Sequence, residues 1–144
     1  MIYTSYNPAT GTILGTLTAT NPKDLPAYNT NYITGSYAAD RYYISNKTAV
    51  EYPPKPYTGS WIVYTWDLST RTWLVDESVT ADHARQIRDN KFIPVDRINP
   101  IWWNQMTAQQ QAEATAYRQA LLDVPNQPGF PTQIEWPAKP AWLI

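Results

Sequence analysis

Ten of the eleven tyrosines lie before residue 65, whereas stretches with helical spacing of apolar residues begin only after residue 76. Tyrosine and β-branched residues suit a pleated, half-buried surface, and helices need longer periodic runs. The chain therefore reads as a β part, 1–76, followed by a helical part, 77–144, in an α+β arrangement.

The β part divides at its turns. Ile2 to Tyr6 and Thr12 to Ala19 are joined by Asn7-Pro8-Ala9-Thr10-Gly11, where proline presets a turn and glycine accepts a positive φ, so a hairpin is expected with Gly15 as a candidate bulge. Arg41 to Ile44 and Ala49 to Tyr52 flank Ser45-Asn46-Lys47-Thr48 as a second hairpin, stopped by Pro53-Pro54-Lys55-Pro56. A third pairs Trp61 to Trp66 with Thr72 to Val75. Together they predict a small antiparallel meander. Residues 20–40 read mostly as loop, with a short strand at 28–34.

In the helical part, Thr80 is the expected N-cap of a first helix that carries Ala84, Ile87, Lys91 and Phe92 and stops at Pro94. Thr107-Ala108-Gln109-Gln110 has the capping-box pattern, so a second helix is expected from Ala108 to Asp123, with Ala114, Tyr117, Leu121 and Val124 on its apolar face. Pro125, Pro128, Pro131, Pro137 and Pro140 then predict an extended tail. That tail is either a binding arm or folds back, with Phe130 and Trp136 over Tyr117 and Leu121.

Composition narrows the function classes. Eleven Lys+Arg stand against twelve Asp+Glu, so the charge carries no footprint for nucleic acid or an anionic membrane. The charged share is 16% and the aromatic share 14%. Such a surface, poor in charge against the ordinary quarter, suits lasting contact with another protein. Cysteine is absent, which removes disulfides and thiolate metal sites and leaves folding to packing. No basic and apolar leader and no membrane-length apolar run is visible, so a soluble chain made in a cytosol is expected. Asn46-Lys47-Thr48 fits a glycosylation sequon, read as chance without a secretory signal.

Catalytic constellations are missing. The single histidine, His83, sits beside Asp82 and Arg85 in a predicted first helical turn and reads as a surface residue. Asp76-Glu77 points two carboxylates to opposite sides of any regular element, and neither a calcium loop nor a phosphate loop occurs. No enzyme, cofactor or metal is expected. Arg85, Arg88 and Lys91, three apart, read as a solvated helix face or an ionic contact for a partner. Trp61, Tyr64, Trp66 and Trp73 on adjacent strands are candidate binding residues, because large rigid aromatics dominate binding hot spots. The alternatives are that half or more of these rings simply make the core of a sheet short of leucine, and that they stack on sugars.

Residues 117–140 run from Tyr117-Arg118-x-x-Leu121-x-Asp123 to Trp136-Pro137-x-x-Pro140. This ending resembles that of phage tail fibre assembly proteins, also called tail assembly chaperones. The resemblance spans residues 80–140, with a weaker match over 40–56 through the Tyr-Tyr-Ile strand, the Ala-Val-Glu-Tyr strand and Pro-Pro-Lys-Pro. One departure is plain: many relatives carry a tryptophan about three residues ahead of Tyr117, where this chain has Ala114. The resemblance implies a non-catalytic helper, active in the host cytoplasm, that binds a trimeric tail fibre protein at one copy per fibre chain. Its motif adds Tyr117 and Arg118 to the candidate partner-binding residues, and Phe130, Trp136 and Trp142, the large aromatic anchors of a proline-stiffened tail, join them as the contacts of a binding arm. The rival readings are a permanent virion tail fibre subunit and a carbohydrate-binding module.

Overall fold

The computed structural model describes residues 1–26, 31–56 and 58–144. Strands come first and helices second, as α+β predicts. The chain divides into two compact units, Met1–Pro54 with Leu68–Thr72, and Lys55–Asp67 with Trp73–Ile144.

In the first unit β1 (Ile2–Tyr6) pairs antiparallel with β2 (Ile13–Thr18) on one side and β3 (Asn31–Thr34) on the other. The central position pairs both edges of β1, and Tyr3, Thr4 and Tyr6 are all buried. Burying the Thr4 hydroxyl requires partners. It donates to the Gly35 carbonyl at 2.8 Å and accepts from the Tyr37 amide at 3.2 Å. The expected bulge is present one residue earlier: Ser5 faces Gly15 and Tyr6 faces Ile13, so Leu14 is the extra residue. Gly11 has φ +72°, and a Cβ there would lie 2.2 Å from the Ile44 carbonyl oxygen. Only glycine satisfies both conditions.

β4 (Tyr42–Ser45) and β5 (Thr48–Glu51) form the second hairpin, in which Ser45 pairs with Thr48. The turn shrinks from four residues to Asn46-Lys47, both at positive φ, a geometry that matches the twist of the strands. The strand expected at 28–34 is present at Asn31–Thr34, and its first three residues lie outside the described residues. The single meander is not formed. The described strands make one three-stranded and two two-stranded sheets, because β3 returns to β1 rather than passing on to β4.

The second unit holds β6 (Tyr64–Asp67), β7 (Thr72–Val75) from Trp73 onward, and helices α1 (Glu77–Asp96), α2 (Pro100–Gln105) and α3 (Ala108–Asp123). Helix α1 starts earlier than expected, because Asp76, not Thr80, caps it by accepting from the Val79 amide at 3.1 Å. The Thr80 hydroxyl is instead wholly buried and accepts from the Val63 amide at 3.0 Å. Helix α1 also runs through Pro94 to Asp96. Proline forgoes one ladder bond, yet the next residue, Val95, is a core residue whose burial keeps the last turn helical.

Helix α2 was not anticipated as a separate element. Asn99 caps it through the Trp102 amide at 2.9 Å, and Pro100 takes the first helical position, where its missing N–H costs nothing. Helix α3 has its expected limits and its capping box: Thr107 Oγ1 accepts from the Gln110 amide and Gln110 Oε1 from the Thr107 amide. Ala114, Tyr117, Leu121 and Val124 are all buried, as the apolar stripe predicts.

The tail departs from the extended form that its prolines predict at its turns, and residues 134–140 form no helix, strand or turn. It turns on itself through Phe130 N–H to Gln127 O, Gln133 N–H to Gly129 O and Leu143 N–H to Pro140 O. Leu143 then enters the core of Val95, Ala114, Tyr117 and Leu121. Apolar burial outweighs the stiffness of the prolines. Among the described residues no helix is long and apolar enough to cross a membrane.

Candidate partner-binding site

All nine residues that the sequence singles out for partner binding lie in the second unit, but they do not form one surface. Trp61 precedes β6 and leaves the hairpin aromatics. Its indole N–H donates to the Pro131 carbonyl at 2.8 Å, and its ring meets Trp136 edge to face at 5.7 Å. Trp66 and Trp73 pair across the hairpin at 5.1 Å, with the Lys55 ammonium 4.7 Å from the Trp73 ring centre. The Tyr64 hydroxyl donates to the Pro56 carbonyl.

The basic residues of α1 prove to be ring partners rather than a merely solvated face. Arg85 lies over Phe130, Arg88 over Phe92 and Lys91 over Trp136, at 5.5, 5.8 and 5.5 Å. Guanidinium and ammonium groups at such distances are attracted by the ring quadrupole. Two of these pairs bind α1 to the tail. If the tail folds back, Phe130 and Trp136 are expected over Tyr117 and Leu121; instead Leu143 and Trp142 take those places.

Tyr117 is a core residue whose hydroxyl donates to the Lys91 carbonyl at 3.3 Å, and burial raises its pKa above the ordinary tyrosine value. Ala114, where relatives are expected to carry tryptophan, is buried in the same cluster, and Trp102, Trp103 and Trp142 pack against it. The Trp142 indole donates to Glu113 Oε2 at 2.6 Å. That bond, followed by one from Gln109, holds the Glu113 carboxyl below the usual glutamate range.

An open groove of about 570 Å³ runs beside these residues, between the end of α1, α2 and α3. Val95, Ile98, Trp103 and Leu122 supply apolar walls, and Leu122 is 42% exposed at the lip. Gln111 fixes the Trp103 wall by donating to its carbonyl at 2.8 Å. Arg118 lies along the groove, donates to Asp96 at 2.9 Å and covers Phe92. Of the nine expected residues only Arg118 lines this groove. Ile98 and Leu122 escaped the sequence reading, although Asn99-Pro100 was a legible helix start that would have placed the residues on either side of it.

Among the described residues no group of three or more His, Asp or Glu is arranged to hold a metal ion. An apolar groove edged by one ion pair can hold an apolar polypeptide segment and orient it.

Residues 81–141 match the model of the phage tail assembly chaperone protein family. The resemblance read from the sequence over 80–140 is thus borne out, almost to its limits. No curated protein and no solved structure matches the chain.

Proposed function

We propose that this chain is a non-catalytic chaperone of tail fibre assembly, which holds an apolar segment of the fibre polypeptide while the fibre folds or trimerises. The observation that carries the reading is the position of the apolar groove. Its lining, from Val95 to Leu122, falls wholly inside the segment that matches the tail assembly chaperone family.

Assembling β-rich trimers expose strand edges and apolar surface that aggregate unless covered. A groove with apolar walls takes an amphipathic or extended segment by burying its apolar side chains, and the Arg118–Asp96 pair at its edge favours one orientation. Each chain of a trimer offers the same patch, so one copy per fibre chain is the stoichiometry that symmetry favours. The paired Trp66 and Trp73 then serve as a further contact surface.

Co-expression with the neighbouring fibre protein tests this. The fibre is expected in the soluble, trimeric fraction with the wild-type chain and in the insoluble fraction without it. A fibre that is soluble and trimeric alone would overturn the proposal.

A further inference from the structure

We infer that Trp142, Leu143 and Ile144 are a detachable latch, a self-ligand in a peptide seat that a partner segment with an indole residue followed by leucine can take over. Three contacts of different chemistry hold them in succession. The Trp142 indole donates to Glu113 Oε2 at 2.6 Å, Leu143 is 1% exposed among Val95, Ala114, Tyr117 and Leu121, and the Ile144 main-chain oxygen accepts from Arg97 Nη2 at 2.5 Å. An anion meets the donor, an apolar hole meets the leucine and a cation meets the carbonyl. This is the reading of a peptide by side chain and main chain together.

The segment leading to the seat is built to let go. Glu135 is gripped by the Gln127 amide through two hydrogen bonds, at 2.8 and 2.9 Å, and Trp136 is held on Trp61. Between these anchors and the latch, Pro137-Ala138-Lys139-Pro140 forms neither helix nor strand and, with Ala116 and Ala120, lines an open pocket of about 770 Å³. Its two prolines offer no backbone donor. Residues 137–144 can therefore open as a unit, against the burial of Leu143, while the hinge at Glu135 stays in place.

Tethering gives the latch an effective concentration on the order of millimolar, so a free segment competes poorly and one already held nearby competes well. A client lying in the groove beside α3 has that advantage. The inference rests on the proposed client reading only for the identity of the incoming chain; the seat and its chemistry do not depend on it.

The test is fluorescence anisotropy with a labelled, amidated peptide of residues 137–144, titrated with the full wild-type chain and with Trp142→Ala. The variant is expected to capture the peptide at least tenfold more tightly, because its own latch is weakened while the seat is intact. A peptide with alanine in place of its tryptophan should not be captured. Equal or absent capture by both chains, with a cooperative melt retained by the variant, overturns the latch. Should Trp142→Ala fail to fold, Trp142→Phe carries the test. It keeps a ring but loses the donor, at least threefold tighter capture is expected, and no gain overturns the inference. Peptide capture by a chain that leaves fibre solubility unchanged would sink the client reading alone.

Discussion

The hydroxyl of Thr80, in the first turn of α1, accepts the main-chain N–H of Val63, seventeen residues earlier, at 3.0 Å. Val63 also accepts from the Asp76 amide at 2.8 Å, so the approach to β6 is tied to the start of the helix at two points. Thr80 is wholly buried, and a buried donor left without an acceptor costs about 1–3 kcal/mol. Thr80→Val keeps the shape and removes the acceptor. It is expected to lower the melting temperature by roughly 3–10 °C, and an unchanged melt would show that the bond does not tie the segment down.

The same ties bear on where the helical part begins. A fragment of residues 77–144 loses the Val63 amide from Thr80 and the Trp61 ring from Trp136, whereas 55–144 keeps both. The longer fragment is expected to melt cooperatively and the shorter one to melt earlier and more broadly. Equal melting curves would place the boundary of the folding unit at residue 76.

Leu143 is the tail residue deepest in the core. Leu143→Ala removes buried methyl groups and leaves a cavity, at a cost of about 2–5 kcal/mol. A thermal melt checks it, and a loss under about 1 kcal/mol would mean that the core closes without the tail.

Glu113 gives a pH signature. Its folded pKa is depressed by the Trp142 indole first and Gln109 second, so the stabilisation is present above the ordinary glutamate pKa and is lost as pH falls through the folded value. Glu113→Gln mimics the neutral carboxyl. The wild type is expected to melt above the variant at neutral pH, and the two curves should converge in acid below the usual glutamate range. A constant gap between them would show that the carboxylate charge plays no part.

The groove can be separated from stability. Leu122→Asp places a charge at an exposed lip and is expected to leave the melt nearly unchanged, within about 0.5 kcal/mol, while abolishing the rescue of fibre solubility. Rescue that survives would move the client contact to another surface. Glycan arrays should show no binding, because Lys55 already lies over Trp73 and Lys91 over Trp136.

What the sequence determined by itself is local in origin. The Thr107 to Gln110 capping box and the four-residue stripe of α3 need only neighbours one turn away, and Asn7 to Gly11 and Asn46-Lys47 set their turns through backbone φ. The order of strands before helices followed from the same short-range signals. Tertiary structure decided whatever depended on competition for burial. It brought β3 back to β1, moved the cap of α1 from Thr80 to Asp76 because the threonine was needed by Val63, and carried α1 through Pro94 so that Val95 could be buried. Five prolines argued for an extended arm, but no local rule reveals that Val95, Ala114, Tyr117 and Leu121 leave room for a leucine from residue 143. The groove was illegible for the same reason: its walls come from three helices, and a concavity exists only once they are packed.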